Sequence, residues 1–394
     1  MQGSPQLTPL GERFDLSENA LPYYRHFREA GSVIPNDGWI PTPADWIATD
    51  LETVQTIFRR PDLFSSAAGS SPSGNIRPMI PLEVDPPDHH RYRRLLDPFF
   101  SPTKLRDLEP VLRRQINTYI DGFIDDGEVD LLEAFFIPYP TQVFLTLYGL
   151  PLEDLPTFLR WKDDILHHGL LDPAVLKAAS DELYAYMTRF VETCDVSGSN
   201  LMSSLLQPDE NGDRLSLEEI LDITYVFILA GLHTVTTMLA LSFAYLGRHP
   251  EQRRLIVEDL SIIPVAVEEL LRMTTPAPAL SRVATEDVEI GGVTIGKGQS
   301  VYCHIGAANA DTTGCPNAEE LDLLRADNRH ATFGLGVHRC LGSHLARIEI
   351  RLVLDEFLRR IPDYEIAPDA DLVRVPFYEG MDRLPILFPP GGRR

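Results

Sequence analysis

The sequence predicts a mainly α protein with small β-sheets, and three features carry that expectation. Apolar residues recur at spacings of three and four from residue 105 to about residue 191. A stretch without formal charge follows at residues 223–247. Alternating apolar and polar residues are confined to short runs between residues 288 and 305. No repeat period or separating linker divides residues 1–394, so a single domain is expected.

The elements follow in order. The first hundred residues mix short helical and extended pieces among many prolines, and residues 65–74, small and polar, read as a mobile loop. Pro86-Pro87 precedes a basic run, Arg91 to Arg94. Leu105, Leu108, Leu112, Ile116 and Ile120 then line one helical face, with Pro151, Pro156 and Pro173 as later breaks. Asn211-Gly212 marks a turn before the long apolar helix. Val288 and Ile290, then Val293 and Ile295, alternate about Gly291-Gly292, which predicts a β-hairpin. Residues 300–305 read as extended, residues 306–342 as irregular, and a last helix is expected from near Cys340 to about Arg360.

Composition narrows the function. The 394 residues carry 58 acidic and 35 basic side chains, a net charge of −23. Such a balance argues against nucleic acid and against anionic lipid headgroups, both of which are held by surplus Lys and Arg. Four scattered cysteines and an opening (residues 1–16) without an apolar signal core point to a reducing, cytoplasmic setting. Residues 223–247 are long enough to span a bilayer. However, Thr224, His233, Thr234, Thr236, Thr237 and Ser242 interrupt them and no second segment compares, so a buried axis is expected and no membrane.

The sharpest local signal is Phe333-Gly334-Leu335-Gly336-Val337-His338-Arg339-Cys340-Leu341-Gly342, followed by a helix. Glycines let the backbone turn tightly around one sulfur, and a helix N-terminus favours its thiolate. Gly342 leaves room for a flat, bulky group over the first turn. A structural cysteine and a zinc site built from His330, His338, Cys340 and His344 are the competing readings, the latter without the usual paired ligand spacing.

The segment resembles the haem-binding signature of the cytochrome P450 family, Phe-x-x-Gly-x-x-x-Cys-x-Gly, at every fixed position. The resemblance implies a single-domain P450 fold with a long helix over haem b (iron protoporphyrin IX). It implies Cys340 as the iron ligand, with Phe333, Gly334 and Gly342 shaping the loop around the cofactor. Glu269-Leu270-Leu271-Arg272 and Arg325 are similar to the family's structural Glu–Arg–Arg network. His89 and Arg93, four apart, together with Arg282 and His338, match the family's contacts to the haem propionates. Ala230-Gly231-Leu232-His233-Thr234 resembles the oxygen-binding groove, in which the Thr234 hydroxyl bonds back to the Ala230 carbonyl and opens the helix. The usual acid of that groove is replaced by His233, whose ordinary pKa of ~6.5 suits a proton relay. Val226 and Leu229 on the same helix, then Pro278, Ala279 and Leu280, then Met381, are the expected substrate contacts.

The reaction implied is insertion of one oxygen atom from O2 into a small to medium hydrophobic substrate. No flavin or iron–sulfur module is evident, so electrons are expected from a separate ferredoxin and ferredoxin reductase, and the protein is expected to be a monomer. Arg91, Arg94, Lys104, Arg106, Arg339, Arg347 and Arg351 are the expected basic docking residues. The missing acid beside Thr234 leaves a peroxide-driven haem enzyme as one alternative, and a haem- or ligand-binding protein without turnover is the other.

Overall fold

Proline placement explains much of the helical architecture in this computed structural model. It describes all residues except 1–13, 16–20, 39, 41–42, 68–77, 170–171, 210, 369, 371, 376–377 and 394. The loop expected at residues 65–74 therefore lies outside the described residues from position 68 onward. Pro156 and Pro173 start helices Leu155–Asp163 and Pro173–Thr193 rather than ending the ones before them. A first-turn proline forfeits an N–H that has no helical partner there, and its fixed φ already suits the helix. Pro138 and Pro250 are used in the same way.

The chain divides into two compact units, and the boundary falls inside the helix Leu217–Arg248, between Thr236 and Thr237. The first unit contains Met1–Pro72, Thr237–Arg339 and Asp363–Leu387. Its largest sheet has five strands in the order Val33–Pro35, Trp46–Ala48, Ser300–His304, Ala279–Ala284, Phe64–Ser65. Trp46–Ala48 and Ser300–His304 run parallel, and the other neighbours are antiparallel. Leu51, Val54, Ile57 and Phe58 of helix Leu51–Arg59 join Val301 and Cys303 in the hydrophobic core beneath this sheet. The hairpin Val288–Ile290 to Val293–Ile295 forms as predicted, with Gly291 and Gly292 at φ 59° and 81°, the two positive angles that its tight turn demands.

The second unit, Ser73–Thr236, Cys340–Pro362 and Phe388–Arg394, is built on helices. Helix Ser343–Arg360 packs along Glu109–Asp121. Leu96, Phe100, Tyr148, Phe158, Ile228 and Leu232 belong to one continuous core. Two thirds of the most apolar window of helix Leu217–Arg248 is buried within the protein, which explains its lack of charge without a bilayer. The described residues are thus mainly helical with small sheets, as the sequence predicts.

Candidate active site

In the second unit, the long helix is interrupted by exposure at one place. Ala230 and Gly231 are exposed where the residues one turn earlier and later, Val226 and Val235, are buried. The Thr234 hydroxyl donates to the Ala230 carbonyl at 2.7 Å, the back-bond that the sequence predicts. A Cβ added to Gly231 would meet nothing within 4 Å, so the helix surface beside this bond is open. Leu229 is half-buried and leans on the core, whereas Val226 is 5% exposed.

His233 is half-buried and stands edge-on to the ring of His167, with centroids 5.5 Å apart at 74°. Burial, then the charges of His167 and Lys162, push its pKa down to about 4, against the pull of Asp163. The ordinary value assumed from sequence is therefore corrected: at neutral pH the imidazole is uncharged. Periodicity showed that residue 233 lies on the long helix, but not that a second helix brings His167 and Lys162 to it. The one local hint was the spacing of Asp163 and His167, four apart, which places them on one helical face.

His89 and Arg93 lie one turn apart on helix Asp88–Leu96, His89 buried and Arg93 half-buried. Burial, with the Arg93 charge behind it, holds His89 down at about 4, so it is a neutral hydrogen-bonding group. Arg93 donates to Asp97 at 2.7 Å. The neighbouring arginines are already engaged. Arg91 donates to Asp213 at 2.9 Å and to Glu219 at 2.5 Å, and Arg94 bonds Asp209 at 2.8 Å. Arg351 pairs with Glu109 at 2.6 Å. Arg91, Arg94 and Arg351, expected as docking cations, are thus held by carboxylates of their own chain.

Cys340 is exposed and lies three residues before helix Ser343–Arg360, whose N-cap is Gly342. A Cβ on Gly342 would likewise find nothing within 4 Å. An open face above the first turn and a single exposed soft ligand are what a planar metal cofactor bound through a thiolate requires, so these residues fit haem. They do not resemble a tetrahedral zinc site.

In the first unit, the loop before the cysteine is shaped by two glycines with positive φ, Gly334 at 62° and Gly336 at 70°. A side chain at Gly336 would place its Cβ 2.3 Å from the Phe58 carbonyl, so this position needs glycine for both backbone angle and space. Phe333 is half-buried with its ring 6.3 Å from that of His330, and His338 is half-buried. Arg282 is buried in strand Ala279–Ala284, its guanidinium 5.1 Å from the centre of the Phe58 ring. Pro278, Ala279 and Leu280 are half-buried, and Met381 is buried at the end of strand Tyr378–Met381.

The scaffold under this loop is a charged core. Glu269 and Arg272 are both fully buried and joined by two bonds of 2.8 Å. Arg272 also donates to the carbonyls of Asn309 and Ala318. Arg325 adds bonds of 3.1 and 3.2 Å to Glu269, and Asn328 and the Asp322 N–H supply more. Burial pushes the Glu269 carboxyl up, but these partners outweigh it and hold the group below its usual range. The three-residue network resembled from sequence is present.

The fold and these features define a thiolate-haem oxygenase class, and comparison with known proteins gives the family. The sequence model of the cytochrome P450 family matches residues 172–371. Cytochrome P450 CYP107DY1 of Priestia megaterium is 36% identical over 294 residues, 74% of this chain and 72% of that protein. The vitamin D(3) 25-hydroxylase of Pseudonocardia autotrophica is 32% identical over 89% of this chain and 90% of its own. The crystal structure of CYP109E1 from Bacillus megaterium in complex with testosterone superposes with a TM-score of 0.85 at 28% identity, covering 94% of this chain and 99% of that one. The chain belongs to the cytochrome P450 family. It is a monooxygenase that binds haem b and acts with O2, redox partners and a small-molecule substrate.

Proposed function

We propose that this enzyme hydroxylates a small to medium hydrophobic molecule, with electrons delivered by a separate ferredoxin and ferredoxin reductase to a cytoplasmic monomer. The observation that carries the reading is the exposed Ala230-Gly231 step beside the Thr234 hydroxyl, a polar opening in an otherwise apolar helix. Val226, Leu229, Pro278, Ala279, Leu280 and Met381 supply apolar contacts for the substrate. Support for a hydrophobic, polycyclic size range comes from relatives whose names specify vitamin D(3) hydroxylation and bound testosterone.

In this reading Cys340 is the iron ligand, held in place by the loop from Phe333 and Gly334 to Gly342. His89 and Arg93, with Arg282 and His338, hold the two propionates by hydrogen bonds and charge. Haem held by a cysteine thiolate supplies the oxygen-activating chemistry. The chain contributes the rest. Apolar side chains exclude water from the substrate face and orient the reacting carbon. The Thr234 hydroxyl, already oriented by the Ala230 carbonyl, passes protons from water at the helix opening, and His233 feeds that water.

The first test is spectroscopic. The dithionite-reduced carbon monoxide complex should show the strongly red-shifted Soret band of a thiolate ligand, and Cys340→His should lose it. A histidine-type spectrum in the wild type would overturn the assignment. Titration with steroids and other apolar molecules should shift the ferric spin state, and the best ligand should yield a hydroxylated product with reduced ferredoxin. Turnover that is faster with hydrogen peroxide alone would replace the ferredoxin-dependent reading with the peroxide-driven one.

A further inference from the structure

Resting on the relay role proposed for His233, we infer that Asp163 and His167 form the solvent-side limb of the same proton path, a two-imidazole route where other members of the family place one acid. His167 lies in the π-helical turn Asp164–His168, which continues helix Leu155–Asp163 and brings its ring onto His233. Such widened turns displace one residue from the regular helical face and recur at functional positions. The His167 side chain is 45% exposed, so the ring touches water on one side and His233 on the other. Its Nδ1 lies 3.5 Å from Asp163 Oδ1, which orients the ring and draws protons toward it. With centroids 5.5 Å apart at 74° the two rings meet edge to face, so the proton passes between them along their touching edges.

Lys162 makes the arrangement directional. Its side chain is 3% exposed, and its ammonium lies 3.2 Å from Asp163 Oδ1. Asp163 stays ionised because bonds to His167 and the Lys162 charge outweigh its burial. The groups that act on His233 are His167, Lys162 and Asp163, two cationic or cation-forming and one anionic. Their sum with burial keeps His233 neutral, so it conducts protons without storing one. It accepts a proton at one ring nitrogen as it releases the proton of the other toward the water at Ala230-Gly231. A rotation of the ring about its Cβ–Cγ bond then restores the first arrangement without handing the proton back, so each cycle moves one proton inward with no change in net charge. His167 and Asp163 are positioning residues in this scheme, since both act through His233.

The test uses the haem-loaded protein with ring-15N histidine in its diamagnetic ferrous carbon monoxide form. Wild-type His233 should titrate near pH 4. His167→Asn should move that midpoint upward and Asp163→Asn downward, the opposite signs expected from removing a cation-forming and an anionic neighbour. In turnover, His233→Asn should raise the share of electrons lost to peroxide several-fold. His167→Asn should do nearly the same, and the double variant should be no worse than either. A His233→Asn effect with wild-type coupling and an unmoved His233 midpoint in His167→Asn would overturn this inference and leave the His233 relay standing. Wild-type coupling in His233→Asn would overturn both.

Discussion

Glu349 offers the most quantitative check on the interior of the second unit. It lies in helix Ser343–Arg360, is 3% exposed, and its Oε2 atom is buried with no hydrogen-bond partner. Tyr139, fully buried, also has a hydroxyl without a partner, and it is close enough for the carboxylate charge to raise its own pKa. Burial pushes the Glu349 carboxyl up from 4.5 to about 8. The native state therefore keeps a proton that the unfolded chain gives up. Stability from this group is full below pH 4.5, falls by about 1.4 kcal/mol per pH unit above it, and levels off beyond about pH 8. Across that interval the loss is roughly 5 kcal/mol, with no solvent screening to reduce it at such burial. Glu349→Gln removes the titration and keeps the shape. Its amide, buried with unfilled hydrogen bonds, costs about 1–3 kcal/mol at every pH. Urea unfolding of the haem-loaded variant should show it less stable than wild type at pH 5 and more stable at pH 9. A stability difference that does not change between those pH values would refute the argument.

Two further perturbations follow from the first unit. Arg325→Met leaves Glu269 buried with one cation fewer, and breaking such a pair costs about 3–5 kcal/mol, so thermal unfolding should come markedly earlier and haem should be lost more readily. A melting curve equal to wild type would show that Arg272 alone satisfies Glu269. Gly336→Ala forces a side chain into a positive φ and against the Phe58 carbonyl, so haem occupancy after purification should fall well below that of Gly292→Ala, whose Cβ meets nothing within 4 Å. Equal occupancy in the two variants would contradict the steric account.

The helical pattern and the hairpin were legible because each is a local period: three to four residues along 105–124, two residues about Gly291-Gly292. The cysteine loop was legible because glycine spacing around a single Cys is a short-range constraint. What the local patterns missed was set by distant neighbours. An ordinary histidine pKa was assigned to His233 because its depression depends on Lys162 and His167, which the fold brings from another helix. Pro156 and Pro173 do mark helix boundaries, as the sequence predicts, but that each opens the following helix is visible only in the observed boundaries.

Charge is the clearest case of a count misleading about a surface. Arg91, Arg94 and Arg351 were expected to help a negatively charged ferredoxin overcome the net −23, yet Asp209, Asp213, Glu219 and Glu109 neutralise them where they stand. Cations so engaged add little field beyond a Debye length, because the paired carboxylate cancels it. We propose that docking uses exposed Arg106, with half-exposed Lys104 beside it in sequence. Arg106→Glu and Lys104→Glu should each slow ferredoxin-driven reduction several-fold at low salt, converge on wild type as ionic strength rises, and leave substrate-induced spin shifts unchanged. Arg91→Gln should instead lower stability, because Glu219 loses its cation and keeps the bonds from the Tyr92 hydroxyl and the Ser216 N–H, while the reduction rate of the folded enzyme holds. Slow reduction in Arg91→Gln together with wild-type rates in both reversals would place the docking surface on the salt-bridged arginines after all.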